Sequence, residues 1–150
     1  TRVAVFAQNG GFEKSLGGTR GILPGEVDVP HGIAFGDGRL YLADRQNSRL
    51  QIWSTSGKVL AVWPREKVGR PYSVDVSDNG LVAIIDGGDQ PDKTAAMVRL
   101  FDISGKSLGT HDTRRAGDEV NLGHDIAFGR DGALYIGDTW AKRVVKLVAK

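Results

Sequence analysis

The sequence predicts an all-β chain made of β-propeller blades, each of four antiparallel strands, and three observations carry that expectation. The first is internal repetition: Pro30-His31-Gly32-Ile33-Ala34-Phe35 returns 93 residues later as Gly123-His124-Asp125-Ile126-Ala127-Phe128. Leu40-Tyr41-Leu42-Ala43-Asp44 likewise returns as Leu134-Tyr135-Ile136-Gly137-Asp138, and Arg49 as Arg143. The second is that each copy breaks into short β-rich runs separated by turn residues, at roughly 40-residue periods. The third is that no segment sustains a helical period with caps, so almost no helix is expected.

The elements follow in order. Arg2-Val3-Ala4-Val5-Phe6 aligns with Arg49–Trp53, so the chain opens in the third strand of a blade, and Phe12–Gly17 is its fourth. The first full copy reads as strand Gly32–Phe35, turn Gly36-Asp37-Gly38 and strand Arg39–Ala43. It continues with strand Arg49–Trp53, turn Ser54–Gly57 and strand Lys58–Trp63. A degenerate copy follows in Pro71-Tyr72-Ser73-Val74-Asp75-Val76 and Gly80–Asp86. Gly87 to Lys93 reads there as an inserted loop. The chain closes at Arg143–Val148, a third strand. The expected blades are 29–64, 70–112 and 122–150, the last lacking its fourth strand, with 1–18 the end of an earlier one. That is about thirteen strands and about half of a six-bladed ring, so the remaining half or a second chain is expected to complete it.

Composition narrows the function classes. With 40% hydrophobic and 25% charged residues the chain is globular, and 21 glycines in 150 residues, about twice the usual share, imply many tight turns. No apolar run reaches the ~18 residues of a membrane span. The absence of cysteine excludes disulfides, thiolate nucleophiles and cysteine-based metal centres. The net charge is +2 and the basic residues are scattered singly, which argues against nucleic acid as a partner.

His31 and His124 stand at the start of the first, innermost strand of two copies, and Tyr72 takes that place between them. In a six-bladed ring, positions two blades apart lie 120° apart, so a third histidine two blades upstream would complete a symmetric set. Three imidazoles and a water make a common catalytic zinc site; the alternative is that each histidine satisfies hydrogen bonds at a strand start. Asp125, where the first copy has Gly32, is a candidate ligand for a hard cation such as Ca²⁺ or else a turn aspartate. Arg45 also breaks the repeat, its counterparts being Gly87 and Thr139, and suits a bound carboxylate, the alternative being a solvated side chain. Asp44, Asp86 and Asp138 recur in every copy and read as structural, as do Arg49 and Arg143. His111 reads as surface, and Phe6, Trp53 and Phe101, at third-strand ends, as packing between blades.

The run Pro30–Phe35 with Leu42-Ala43-Asp44-Arg45-Gln46-Asn47-Ser48-Arg49-Leu50-Gln51 resembles an NHL-type repeat. More narrowly, the whole chain resembles the C-terminal half of the lyase domain of peptidylglycine α-amidating enzymes. That family cleaves a peptidyl-α-hydroxyglycine to a peptide amide and glyoxylate, using zinc on three channel histidines and a nearby structural calcium. The resemblance implies that His31 and His124 are two zinc ligands, Asp125 the calcium-binding aspartate and Arg45 the active-site arginine. It also implies a C-terminally hydroxyglycine-extended peptide as substrate, and a secreted or periplasmic location. The family's tyrosine base and third histidine would lie upstream of Arg2, so the chain alone is not expected to perform the full reaction. Leu122 and Gly123 stand where the family commonly has Met and Pro. A disulfide of animal members would fall at Tyr41 and Ile52, which suggests a bacterial or divergent relative. The competing expectation is a non-enzymatic NHL propeller that scaffolds a protein or ligand.

Overall fold

The computed structural model describes residues 1–89 and 95–148, so residues 90–93 of the expected inserted loop lie outside the described residues. Within them the chain forms thirteen strands and one four-residue helix. Strands β1 (Arg2–Phe6) and β2 (Phe12–Gly17) make a two-stranded hairpin. A four-stranded sheet follows in the order β3 (Pro30–Gly36), β4 (Arg39–Asp44), β5 (Arg49–Ser54) and β6 (Val59–Trp63). The helix α1 (Arg65–Val68) then leads to a second such sheet of β7 (Pro71–Val76), β8 (Leu81–Asp86), β9 (Met97–Asp102) and β10 (Ser107–Asp112). A three-stranded sheet of β11 (Gly123–Phe128), β12 (Leu134–Asp138) and β13 (Arg143–Leu147) completes the described chain. All pairings are antiparallel, and the sheets do not close into a ring.

The turns account for the glycine excess. Ala7–Gly10, Ser54–Gly57, Ser77–Gly80, Asp102–Gly105 and Gly129–Gly132 share one form, in which the fourth residue's N–H donates to the first residue's carbonyl. That fourth residue is always glycine with φ between 76° and 90°, a conformation that strains any residue carrying a Cβ. The tighter β3–β4 hairpin instead places Asp37 and Gly38 both at positive φ, the type I′ geometry that suits an Asp-Gly pair.

Central strands explain why the sheets stack. Along β4, Tyr41 and Ala43 enter the core shared with the β7–β10 sheet, whereas Leu42 faces a separate core with Leu16, Val27 and Trp53. Along β8, Val82 and Ile84 face backwards to the β3–β6 sheet, and Ala83 and Ile85 forwards to Ile126, Ile136 and Val145. Side chains alternate across a strand, so a run apolar at every position must be covered on both faces. The first strands lie innermost and side by side, β3 against β7 and β7 against β11. Trp53 and Phe101 are buried between sheets, but Phe6 is 58% exposed. It packs only edge-on against Phe12 of its own hairpin, because β1 and β2 pair with nothing else among the described residues and leave that face uncovered.

A buried aspartate ends each second strand. Asp44 Oδ1 accepts from the Asp28 N–H at 2.8 Å, and Oδ2 accepts from Arg49 Nε at 2.7 Å, Asn47 Nδ2 at 2.9 Å and Gln51 Nε2 at 3.0 Å. Asp86 repeats the arrangement with the Arg70 N–H and Arg99, and Asp138 with the Leu122 N–H and Arg143. Arg99 does not stand where Arg49 does. It is two residues further along the strand, at the register of Gln51, and reaches its aspartate from there. Breaking a buried, multiply bonded ion pair from one side costs about 3–5 kcal/mol. Asp44→Asn is therefore expected to lower unfolding free energy by about 3 kcal/mol in urea denaturation, with Asp37→Asn at an exposed turn costing under about 0.5 kcal/mol. Equal effects at the two positions would refute the structural role given to Asp44.

Candidate functional site

The aspartate clasps set where each first strand begins, and in the three larger sheets the next residue is a β-bulge. Pro30 pairs with Asp44 but Gly32 pairs with Ala43, leaving His31 as the extra residue. Tyr72 is extra between Pro71 and Ser73, and His124 between Gly123 and Asp125. A bulge redirects one side chain without breaking the strand. Three successive bulges bring these rings together: His31 and His124 have centroids 4.9 Å apart, His31 and Tyr72 4.9 Å, and Tyr72 and His124 5.4 Å. His31 is half-buried, His124 exposed and Tyr72 buried.

His31 Nδ1 lies 2.8 Å from the Tyr72 carbonyl oxygen. That oxygen only accepts, so Nδ1 carries the proton and the lone pair of the neutral ring sits on Nε2. This is the usual preparation of a histidine as a metal ligand. Asp125 is exposed beside His124, and its Oδ1 accepts from Ser73 Oγ at 2.6 Å and from the Ile126 N–H at 2.9 Å. Among the described residues no three His, Cys, Asp or Glu side chains gather as a metal-binding group. The residues present here thus comprise two imidazoles, His31 with a free Nε2, and one exposed carboxylate, Asp125, with one oxygen bound to neighbouring groups. Two imidazoles are fewer than the three protein ligands of a catalytic zinc site. His111 sits exposed on β10.

On the other side of Tyr72 lies a charged cluster. The Arg45 guanidinium stacks over the tyrosine ring at 4.2 Å, and its Nη2 donates to the Tyr72 hydroxyl at 2.6 Å and to Asp89 Oδ2 at 3.0 Å. Tyr72 in turn donates to the same Asp89 oxygen at 2.5 Å. Arg70 Nη1 forms a close ion pair with that oxygen too, while Arg70 Nη2 donates to Gln46 Oε1 at 3.0 Å. Burial, then the hydrogen bond to Asp89, pushes the Tyr72 hydroxyl above its ordinary pKa. Burial also pushes the Asp89 carboxyl up, but the bonds from Tyr72 and Arg70 and the charges of Arg70 and Arg45 outweigh it. The carboxyl therefore sits below the usual aspartate range. Gly87 makes room for this hub, since a Cβ there would lie 2.4 Å from Tyr72 ring carbons.

Arg45 thus already holds a carboxylate, that of Asp89, and is not a solvated side chain. Tyr72, Arg70 and Asp89 complete the cluster; the sequence placed Tyr72 at the histidine position but not its bonds to Arg45 and Asp89, and it singled out neither Arg70 nor Asp89. Arg70 breaks the repeat as Arg45 does, with Val29 and Leu122 as counterparts, so the same criterion finds it. Asp89 follows Gly87-Gly88 in a segment without counterpart, and nothing in its spacing marks it. A separate hollow of about 600 Å³, lined by Asp75, Asn79, Phe128, Arg130 and Asp131, lies at the opposite ends of these strands, around the β7–β8 and β11–β12 turns.

Stacked four-stranded antiparallel sheets with innermost first strands define the chain as part of a β-propeller carrying an NHL repeat, whose family model matches residues 28–53. In sequence the chain is homologous to the peptidyl-glycine alpha-amidating monooxygenases. It is 30% identical to monooxygenase B of Xenopus laevis over 97% of this chain and 18% of that protein. It thus spans under a fifth of that relative's length. Among solved structures, a protein of unknown function from Bacteroides caccae superposes with a TM-score of 0.68 at 7% identity, over 98% of this chain and 50% of that one. Virginiamycin B lyase from Staphylococcus aureus does so with a TM-score of 0.61 at 16% identity, over 97% and 48%. These structural likenesses support the fold.

Two outcomes follow for the hub. Gly87→Ala overpacks a ring held by His31, His124 and Arg45, so it is expected to cost about 1–3 kcal/mol and to shift the histidine ring resonances; unchanged resonances would contradict the packing. Because the folded Asp89 pKa is depressed, its contribution is present above the ordinary aspartate pKa near 4 and is lost as pH falls through the folded value. The stability gap between wild type and Asp89→Asn should accordingly hold steady above about pH 5 and narrow as the pH falls below about 4, and a gap that stays constant at low pH would count against the ion pairs.

Proposed function

We propose that the chain supplies part of the active face of a lyase-type propeller, which cleaves a peptidyl-α-hydroxyglycine to a peptide amide and glyoxylate. The observation supporting this most directly is the meeting of His31 and His124, from two sheets, beside an arginine pair bearing one more positive charge than its aspartate. His31, through Nε2, and His124 are the zinc ligands this chain offers. Bound zinc supplies a Lewis acid that lowers the pKa of the substrate's α-hydroxyl. Arg45, with Arg70 behind it, holds the substrate carboxylate and stabilises the developing glyoxylate. Tyr72 fixes the distance between ligand histidine and arginine, since it touches both. Asp125 retains one oxygen for a hard cation such as Ca²⁺, which needs six to eight oxygen ligands, and no step is derived through it.

The substrate is accordingly a peptide extended by hydroxyglycine, on a secreted or periplasmic protein, with the remaining blades or a second chain closing the ring. No described helix is long and apolar enough to cross a membrane. A non-enzymatic NHL scaffold is the competing reading, favoured by the Tyr72 carbonyl contact that gives His31 a structural use. Zinc separates the two. In a zinc titration followed by NMR, the His31 and His124 ring signals should move together while that of exposed His111 stays put. His31→Ala and His124→Ala should each weaken zinc binding by at least about 100-fold. Zinc that leaves both signals unmoved would sink the lyase reading, as would a zinc-loaded closed propeller that releases no glyoxylate.

A further inference from the structure

We propose that Arg45, Arg70 and Tyr72 form a preformed carboxylate site which Asp89 occupies as an internal surrogate, and that a peptide's C-terminal carboxylate binds by displacing it. The proposal deepens the functional reading above, which gives the substrate carboxylate to Arg45 and Arg70, by making Asp89 the group that regulates access to them, and it needs neither zinc nor bond cleavage.

The geometry at Asp89 is that of a bound ligand. One carboxylate oxygen collects the Tyr72 hydroxyl, an Arg45 amine and an Arg70 amine, three donors from two sheets that converge on a single point. Convergent donors on separate elements are how proteins recognise an anion. Both arginines have supports besides Asp89: the tyrosine face holds the Arg45 plane, and Gln46 holds Arg70. Such a site is organised before its ligand arrives, which lowers the ordering cost of binding.

Asp89 is an imperfect occupant. It meets Arg45 through Nη2 alone, while Arg45 Nε is buried with no acceptor. A free carboxylate placed side-on would accept from Nε and Nη2 together, the bidentate arrangement that guanidinium favours. Charge points the same way. Among the described residues both arginines form ion pairs only with Asp89, so the cluster carries one uncompensated positive charge. The arginine side chains are 20% and 18% exposed, so the site touches solvent. Tyr72 then spans from this point to the His31 and His124 rings, so an anchored peptide terminus lies one aromatic ring from the histidine pair.

The test is direct binding of N-acetylglycine, a peptide-like carboxylate, against N-acetylglycinamide, its neutral twin, to wild type and Asp89→Asn. Removing the competitor should tighten N-acetylglycine binding at least about 10-fold and leave the amide unchanged. Adding Arg45→Gln to Asp89→Asn should abolish the gain. Acetate serves as a third probe: equal tightening for acetate assigns the site to small carboxylates generally, and selective tightening for N-acetylglycine assigns it to peptide termini. Unchanged or weaker N-acetylglycine binding to a folded Asp89→Asn overturns the proposal, leaving Asp89 a structural tether. Should that variant not fold, wild type decides: saturable shifts of the Arg45 Nε–H and Tyr72 ring signals with N-acetylglycine but not its amide support it, and their absence overturns it. Zinc-free protein is used throughout, so this result and that of the zinc titration fail or succeed separately.

Discussion

Everything at the ligand face depends on a carboxylate buried at the end of each second strand. Asp44, Asp86 and Asp138 are at most 2% exposed, and each binds a backbone N–H just before the first strand and an arginine of the third. One side chain thereby ties the segment entering the first strand to the second and third strands at the end of their hydrogen-bonded ladder. Burying a carboxylate is costly unless donors surround it, which is why the arginine accompanies it in every blade. The device tolerates variation in how the cation arrives. Arg99 approaches from the Gln51 register, and Arg143 divides its guanidinium between Asp138 and Asp118.

With the strand start pinned, the bulge that follows has a fixed place. A one-residue irregularity in an unconstrained strand could slide; next to a clasped residue it cannot, because Pro30, Pro71 and Gly123 must remain opposite their aspartates. The bulged side chain then leaves the alternation that would bury it in one inter-sheet core or the other. This explains why the rings of His31 and His124 meet although 93 residues separate them. The repeat is structural, and the chemistry lies in what each copy places on the bulge.

The fold was legible in the sequence because its signals are local and repeated. Short alternating runs and a glycine at the fourth position of each turn recur at every blade, so one copy corrects the reading of another. Repetition also separated Asp44, Asp86 and Asp138 from the singular residues Arg45 and Asp125. The same logic failed where a contact joins unlike parts of two copies. Phe6 aligned with Trp53, but burial depends on a neighbouring sheet that the alignment does not contain. Tyr72 was visible as a substitution for histidine, yet its bond to Asp89 crosses from a strand start to a segment with no counterpart. No period can encode that. Arg45 looked like a free cation for the same reason, since its carboxylate partner lies 44 residues away.

Tyr72 is where the two halves of the face become one. A third histidine at its position would add a third imidazole to the pair; a tyrosine instead turns its hydroxyl away towards Arg45 and Asp89 and leaves its carbonyl to His31. Its burial makes the hydroxyl a poor acid, so it stays protonated and continues to donate to Asp89. The donated bond and the stacked guanidinium hold the ring at a single angle, and the ring's edge in turn limits where both imidazoles can go. Gly87 is the complement of that arrangement. It occupies the place that Arg45 has one blade earlier, and any side chain there would evict the ring. The residue that breaks the repeat in one blade and the glycine that replaces it in the next are thus a matched pair around one tyrosine.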